Sequence, residues 1–381
     1  MNAKERVMTS INHHEPDRVP WDYWAASEVT ERLLKHFGFE DKEELLRYFD
    51  VDLRYVPGPS YIGQEFQTYD DGTIADLWGV RRRTMTVEHG AYRWAYKHVV
   101  SSPLAPMETV EEIDNYAHWP SPNWWDYSKV KLDCERYAGF AVVNAGDRLD
   151  RTAQFKPMMY LRGMEQAYVD LILNPKIADA IIAHIKEYFL EYNRRVFEAA
   201  NGKCAKPSRP PLSPPPTGGK KGGIDIFMMG DDFGTQNGLM IDIQTWRRFF
   251  GDGFRAYIDL AHRYGMKVMH HTCGCVVGLI PEFINAGLDI LQSLQPRAAG
   301  MDLEKLKREY GKYIAFHGSI DIQETLPYGS VEDIREMVRQ RMKAGKPGGG
   351  FIISTAHNIQ PDTPTENILA LFAAYKDFGR L

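Results

Sequence analysis

The chain has 381 residues, of which 44% are hydrophobic and 25% are charged, as in typical globular proteins. Its formal net charge of −5 gives no electrostatic support for binding nucleic acid or a membrane surface. The first residues, MNAKERVMTSINHHEPDR, do not resemble a signal peptide, and no apolar run approaches the roughly 18 residues of a membrane span. We therefore expect a cytoplasmic protein whose four cysteines stay reduced.

The first half of the chain is predicted to combine helices with antiparallel hairpins. Alternating residues with turn signals at Asp71-Gly72 and Gly90 predict hairpins over 61–99, and short apolar runs predict strands over 52–56 and 140–144. Apolar residues recur at helical spacing in five segments: 2–12, 28–37, 42–49, 161–173 and 176–200.

Residues 202–223 (GKCAKPSRPPLSPPPTGGKKGG) form the one low-complexity segment of the sequence. Proline, glycine, serine and lysine dominate it, so it cannot contribute to a packed core and is expected to be a flexible insertion. It is either a lid over a site or a tolerated surface insertion. The chain as a whole, 1–381, is predicted to be a single domain around this insertion.

From residue 224 onward, strands and helices alternate regularly. Strand–helix alternation without a dinucleotide-type turn favours a closed parallel barrel over an open sheet. Neither GxGxxG after a strand nor GxxxxGK[ST] occurs, so nucleotide binding has no local support. The predicted strands are 224–229, 267–270, 288–291, 314–317 and 351–354, and the predicted helices are 243–264, 276–286, 303–310, 331–344 and 364–378.

Polar residues follow each of these five strands. In parallel barrels the strand ends meet at one mouth, where the chemistry takes place, so these residues predict a polar pocket there. The candidates, in chain order, are Asp231, Asp232 and Gln236, then His270 to Cys275, then Gln292, Gln295 and Arg297, then His317, Ser319 and Asp321, and last His357, Asn358 and Gln360.

The segment HHTCGC (270–275) is the most distinctive of these strand ends. If the chain is extended there, His271 and Cys273 point to the same side, and an imidazole with a thiolate suits Zn²⁺. Ordinary core packing and a redox pair with Cys275 are the competing interpretations. His357 is the first choice for a third ligand because it ends the last strand. The other candidates are Cys275, Asp232 and His317.

Asp231, Asp232 and His317 are the candidate acid/base residues. A carboxylate directed into a dry pocket has a raised pKa suited to proton transfer, whereas one at a turn or helix start binds backbone N–H groups instead. Gln236 is either a hydrogen-bonding partner of a substrate or a turn residue.

The sequence resembles the uroporphyrinogen decarboxylase superfamily, and within it the cobalamin-dependent methyltransferase branch. The resemblance extends over nearly the whole chain. It rests on ERVMTSINHHEPDRVPWDYW (5–24), DGTIADLWGVRRR (71–83), LRGMEQAYVD (161–170), GDDFGTQNGLMI (230–241), HHTCGCV (270–276), INAGLDILQSLQPRAAGMDLEKLKREYG (284–311) and HNIQPDTPTENI (357–368).

The resemblance implies a (β/α)₈ barrel of the TIM type with N-terminal helical and β-hairpin additions. The methyltransferase branch carries zinc on a His-x-Cys motif plus a later cysteine, which implies ligands at His271 and Cys273. The later cysteine is missing here, and His357 lies near its place. The decarboxylase branch holds substrate carboxylates with an arginine-rich N-terminal loop, whereas 19–31 contains no arginine.

The sequence therefore predicts a zinc-assisted methyltransferase that moves a methyl group between a small O- or N-methylated substrate, or a thiol, and a corrinoid. Because the chain has no DxHxxG motif, we expect the cobalamin to arrive on a separate partner protein. The family also implies a homodimer. Two alternatives stay open: a metal-free decarboxylase of a polycarboxylate, and a non-catalytic binding protein. The predicted substrate-binding residues are Trp78, Gln236, Gln295, Asn358 and Gln360.

Overall fold

The computed structural model describes residues 1–89, 92–144, 151–204 and 222–380. Within these ranges the helices are α1 (Ala3–Ile11), α2 (Ser27–Phe37), α3 (Lys42–Tyr48), α4 (Val110–Asp114), α5 (Val130–Glu135), α6 (Phe155–Arg162), α7 (Met164–Leu173), α8 (Pro175–Asn201), α9 (Ile243–Phe249), α10 (Gly251–Arg263), α11 (Ile280–Asn285), α12 (Leu303–Tyr310), α13 (Thr325–Tyr328), α14 (Val331–Gly345) and α15 (Thr365–Gly379). Most of the predicted segment 202–223 lies outside the described residues.

The strands are β1 (Leu53–Val56), β2 (Ser60–Tyr61), β3 (Ile74–Ala75), β4 (Arg81–His89), β5 (Tyr92–Ser101), β6 (Trp125–Asp126), β7 (Ala141–Asn144), β8 (Ile226–Gly230), β9 (Lys267–His271), β10 (Ile290–Leu294), β11 (Ala315–Ile320) and β12 (Phe351–Thr355). Seven of them form one parallel sheet in the order β1-β7-β8-β9-β10-β11-β12. The predicted N-terminal hairpin is confirmed as the antiparallel pair β4–β5, to which β3 adds a short edge.

An extended N-terminal segment connects the two ends of the parallel sheet. Ile353 of β12 donates its N–H to the Pro20 carbonyl (3.0 Å) and accepts one from Asp22 (3.1 Å). On the other side, the Asp52 N–H donates to the Trp21 carbonyl at 3.1 Å, directly before β1. The predicted barrel is thus confirmed, with residues 20–22 in the place of an eighth strand. Proline has no N–H for a regular ladder, which is why no strand was predicted there.

Several predicted boundaries were wrong in ways that affect the site. The predicted helix 161–173 is interrupted at Gly163, whose φ of 87° is left-handed, and the helix before it begins already at Phe155. The predicted helix 243–264 is divided between α9 and α10 at Phe250. β11 continues to Ile320, beyond the predicted end at 317, so that His317 lies in the middle of the strand and not at its end.

The barrel interior is apolar at its amino-terminal end and polar at its carboxyl end. Side chains alternate across a strand, so residues two apart share a face. The inner apolar cluster is Leu53, Ala141, Val143, Ile226, Met228, Met269, Ile290, Ala315 and Ile352, closed below by Val7 and Ile11 of α1. Two residues after Met269, Ile290 and Ala315 come His271, Gln292 and His317. The strand period therefore places these three polar side chains in one interior layer.

The second and larger core lies between the strands and the surrounding helices. Here His270, the outward neighbour of His271, is buried among Phe233, Phe254 and Phe283, with ring centroids 4.9–6.1 Å away. In the described ranges, no helix is both long enough and apolar enough to cross a membrane.

Candidate active site

A cavity of about 880 Å³ opens at the carboxyl ends of the barrel strands. Its floor includes Gly230, Asp232 and His271 at strand ends, and one wall is the face of the β4–β5 hairpin. Aromatic residues line much of the remainder: Tyr23, Trp24, Tyr55, Trp78, Tyr96 and Tyr160. The strand-end rule therefore located the floor of the cavity, whereas the hairpin wall comes from a part of the chain for which only secondary structure was predicted.

His271, Cys273 and His357 converge at the floor of this cavity. One ligand atom from each lies within 4.8 Å of the others, and Cys273 Sγ is 3.5 Å from His271 Nε2. The two imidazole rings are 5.9 Å apart between centroids, and Trp24 packs against His271 at 5.5 Å. The structure thus brings together the three residues that the sequence analysis assigned to a metal.

The donor set fits Zn²⁺. Tetrahedral zinc with bonds of about 2.0–2.3 Å requires donor atoms about 3.3–3.8 Å apart. The Cys273–His271 separation of 3.5 Å already meets this requirement, and His357 needs to move by about 1 Å at most. Two imidazoles and one thiolate with an open fourth position match the ligand number of catalytic zinc sites.

The electrostatics of the three residues suit a ligand role. Burial, and then the Arg151 guanidinium, lower the pKa of His271 to about 3, so its ring is neutral. Burial, and then the Asp232 carboxylate, raise the pKa of the Cys273 thiol to about 12. A cation at this point would favour the thiolate, so metal binding would release a proton. All four cysteines are free thiols.

Asp232 lies beside the three residues and forms an ion pair with Lys156. Its Oδ2 accepts from Lys156 Nζ at 2.6 Å, its Oδ1 accepts from the Cys273 N–H at 3.0 Å, and Oδ1 is 4.0 Å from His271 Nε2. Burial alone would raise the pKa of Asp232, but the Lys156 ammonium and the other groups around the carboxylate, among them the Cys273 N–H, together outweigh burial and hold the pKa well below its usual range. Asp232 is therefore a carboxylate that faces the cavity.

Asp231 also borders the cavity, but its carboxylate oxygens bind the backbone at the start of α6. Its two oxygens accept the backbone N–H groups of Gln154 (2.6 Å), Phe155 (2.8 Å) and Lys156 (2.7 Å). Burial raises its pKa to about 6, against the effect of these three donors. An acid/base role and a backbone-binding role were both predicted for an aspartate here, and the geometry matches the backbone-binding role.

His317, the third predicted acid/base residue, is fully buried behind the cavity wall. Its Nε2 is 3.0 Å from Asp22 Oδ2, and the same oxygen accepts from the Tyr55 hydroxyl at 2.5 Å. Tyr55 lines the cavity, so His317 connects with it through Asp22 and Tyr55 and not directly.

The predicted substrate-binding residues divide into two groups. Trp78 and Asn358 line the cavity, whereas Gln360 donates from Nε2 to the Asn358 carbonyl at 2.8 Å. Gln236 is exposed, and Gln295 Oε1 accepts the Gly274 N–H at 2.9 Å, where it supports the turn after Cys273. Two of the five thus lie on the cavity surface.

Sequence reasoning missed several charged cavity residues. Lys42, Arg82, Arg151 and Lys156 line the cavity, and none follows a strand end that had been examined. Arg82 pairs with Asp76 at 2.6 Å, and its guanidinium lies 4.5 Å from the centre of the Tyr160 ring. A usable signal was present in the motif DGTIADLWGVRRR (71–83), which carries both members of the Asp76–Arg82 pair.

Residues 221–378, which include β8 to β12, match the family model described as uroporphyrinogen decarboxylase (URO-D). The resemblance to the uroporphyrinogen decarboxylase family is confirmed over this region. The uroporphyrinogen decarboxylases of two Coxiella burnetii strains, Dugway 5J108-111 and RSA 493 / Nine Mile phase I, are each 26% identical to the chain over 165 residues. That alignment covers 42% of this chain and 42% of each relative, so it spans less than half their length.

A solved structure described as a methyltransferase from Methanosarcina mazei shares the fold over almost the whole chain. The TM-score is 0.66, the sequence identity is 15%, and the superposition covers 99% of both chains. The shared fold therefore includes the N-terminal additions as well as the barrel.

Proposed function

We propose that this protein is a zinc-assisted methyltransferase of the uroporphyrinogen decarboxylase superfamily, which exchanges a methyl group between a small methylated compound, or a thiol, and a corrinoid. The observation that carries the proposal is the convergence of His271, Cys273 and His357 at the floor of an aromatic-lined cavity. The shared fold with a protein described as a methyltransferase is consistent with it.

His271, Cys273 and His357 would hold the Zn²⁺. Bound there, it would supply Lewis-acid polarisation of the oxygen, nitrogen or sulfur that carries the methyl group. Asp232 faces the cavity beside Cys273 as a carboxylate that the Lys156 ammonium keeps ionised, so its catalytic role would be to accept a hydrogen bond or a proton from the substrate and not to donate one. Trp78 and Asn358 would contact the substrate, and the buried network through His317 would orient Tyr55 in the cavity wall.

The corrinoid is proposed to come from a partner protein in the cytoplasm, and a homodimer is part of the same proposal. The cavity volume of about 880 Å³ is within the range of small-molecule sites, and we assign the cavity to the small substrate and not to the corrinoid. The partner would therefore present its cofactor at the cavity mouth, next to the β4–β5 hairpin. The hairpin lines the cavity through Arg82, Thr84 and Lys97. This arrangement therefore requires that the hairpin leave the cavity mouth accessible to the corrinoid of the partner protein.

A metal-free decarboxylase of a polycarboxylate is the second candidate function. It is favoured by the match of 221–378 to the URO-D family and by the cationic side chains of Lys42, Arg82 and Arg151 in the cavity. Two of the cavity's cations are already paired, Arg82 with Asp76 and Lys156 with Asp232, which leaves less charge for several carboxylates. We therefore place this candidate second.

Metal content by mass spectrometry tests the proposal first. Wild-type protein should contain about one zinc per chain, and His271→Ala, Cys273→Ala and His357→Ala should each lose it. His270→Leu is the matched control, since His270 is the next residue but faces the outer core. A wild-type protein that never binds zinc would contradict the proposal.

The second test separates the two candidate functions. Zinc-loaded protein is incubated with reduced free cobalamin and a panel of methyl ethers, methylamines and methyl thioethers, and methylation of the cobalamin is followed by absorbance. In parallel, metal-free protein is incubated with uroporphyrinogen, and CO₂ release is measured. Methylation that disappears in Cys273→Ala supports the methyltransferase, whereas CO₂ release that persists in Cys273→Ala supports the decarboxylase.

A further inference from the structure

Gln292 is buried in the polar layer of the barrel, directly beside the candidate metal ligands. It lies on β10, next to β9, and its side chain is 0% exposed. Its Oε1 is 2.9 Å from His271 Nδ1, and its main-chain oxygen accepts the Thr272 N–H at 2.6 Å. One residue thus contacts both the ring of His271 and the backbone that leads to Cys273.

The direction of the Gln292–His271 hydrogen bond determines which ring nitrogen can bind a metal. A neutral imidazole carries its proton on one nitrogen and a lone pair on the other. If Nδ1–H donates to Gln292 Oε1, then Nε2 carries the lone pair. Nε2 is the nitrogen that lies 3.5 Å from Cys273 Sγ. This tautomer is the one that the convergence of the three candidate ligands requires.

The amide nitrogen of Gln292 is the second observation about this side chain. Among the described residues, Gln292 Nε2 has no hydrogen-bond partner, although buried polar groups are nearly always paired. An amide rotated by 180° would donate from Nε2 to Nδ1 and would leave the proton on the metal-facing nitrogen. The barrel therefore contains a buried amide whose orientation is coupled to the tautomer of one candidate ligand.

We propose that Gln292 is a positioning residue that holds His271 in the tautomer with a free Nε2 lone pair and so sets the affinity of the site for zinc. The proposal rests on the proposed function, because it takes His271, Cys273 and His357 as the metal ligands. Partners that orient a ligating histidine commonly change metal affinity about 10–100-fold when removed. A carboxylate at position 292 would accept the same Nδ1–H and could not adopt the opposing arrangement.

Zinc affinity of the full-length protein is measured at one fixed pH by competition with a chromophoric chelator. Gln292→Met keeps the side-chain volume but is a weak acceptor, and we expect zinc affinity to fall about 10–100-fold. Gln292→Glu should bind zinc at least as tightly as the wild type. Asn367→Leu is the control, because Asn367 is also a buried amide but donates to Leu326 and Gly329 carbonyls. Affinity in Gln292→Met within threefold of the wild type, or an equal loss in Asn367→Leu, would overturn the proposal.

A second measurement decides the proposal without any metal. Long-range ¹H–¹⁵N correlation spectra of the metal-free protein, assigned with His271→Ala, report which nitrogen of His271 carries the proton. We expect Nδ1 to be protonated in the wild type and in Gln292→Glu, and Nε2 to gain proton occupancy in Gln292→Met. Wild-type protein that binds no zinc but shows protonated Nδ1 would contradict the proposed function alone, whereas protonated Nε2 in the wild type would overturn the role of Gln292.

Discussion

Substitution of Asp231 should reduce stability far more than the loss of one carboxylate usually does. Its carboxylate accepts three backbone N–H groups at the start of α6, at 2.6, 2.8 and 2.7 Å. Hydrogen bonds to charged groups contribute about 1.5–3 kcal/mol each, and each buried donor left unpaired costs about 1–3 kcal/mol. Because the adjacent cavity lets water reach some of these donors, we take the lower ends. We expect the free energy of unfolding to fall by about 3–5 kcal/mol in Asp231→Ala and by about 2 kcal/mol in Asp231→Asn, which keeps one acceptor oxygen.

Urea unfolding followed by tryptophan fluorescence measures both losses. Asp242→Ala is the matched control, since Asp242 is an exposed aspartate that accepts two backbone N–H groups at the start of α9 and should contribute only about 1 kcal/mol. Asp231→Asn should also retain the zinc content of the wild type. The reasoning would be refuted if Asp231→Asn unfolded at the wild-type urea concentration but lost methyl transfer, because Asp231 would then act in catalysis and not at the helix start.

Three further predictions concern charge, backbone and metal. Burial would raise the pKa of Asp289, but the hydrogen bond with His262 at 2.7 Å, followed by the charge and the hydrogen bond of Lys267 at 2.9 Å, holds the pKa below its ordinary value. The stabilisation that Asp289 provides is therefore present above the pKa of its carboxyl group in the unfolded chain and is lost as the pH falls. In urea unfolding, Asp289→Asn should lower the free energy of unfolding by about 2 kcal/mol at pH 7, and this loss should become progressively smaller below about pH 4. Gly274→Ala should weaken zinc binding, measured by chelator competition, and should lower the free energy of unfolding by more than about 2 kcal/mol, because a Cβ at φ +80° would approach a backbone oxygen to 2.5 Å. Gly265→Ala is the control: Gly265 has a φ of +78° but open space around it, so the substitution should cost only about 1–2 kcal/mol. Zinc at about 100 times its Kd should stabilise the wild type by about 2.7 kcal/mol in thermal unfolding but leave Cys273→Ala unchanged.

The fold was largely predictable because its signals are local and repeated. Apolar runs and helix periods recur five times after residue 224, and each predicted strand there overlaps a real one. The N-terminal segment at 20–22 was not predictable in the same way, because its place in the barrel depends on hydrogen bonds to Asp52 on one side and, on the other, to Ile353, which is more than 300 positions away. Pro16 and Pro20 also removed the alternating pattern by which a strand is recognised.

The candidate site was predictable where its residues follow the strand ends, and it was missed where they lie elsewhere in helices or strands. The strand-end rule predicted from the sequence that His271, Cys273 and His357 lie together. Lys156 was missed because it belongs to the first turn of α6, whose start was predicted six residues too late at 161. Tyr55 was treated only as part of a strand, since nothing in its local sequence marks an inward-facing hydroxyl.

The parity of residues within each strand determines which side chains face the barrel interior. Once Leu53, Ile290 and Ala315 are placed inside the barrel, residues two positions later must also face inward, and these are Tyr55, Gln292 and His317. Polar groups in such a layer lie above a dry apolar floor and can find partners only within the layer or at the cavity. Their hydrogen bonds are therefore interdependent, because the same Asp22 oxygen that accepts from the Tyr55 hydroxyl also contacts His317 Nε2. The effects of substitutions within this layer on stability should consequently be non-additive. The orientation of the His271 ring therefore depends on the whole layer more than on the local sequence from His271 to Cys273.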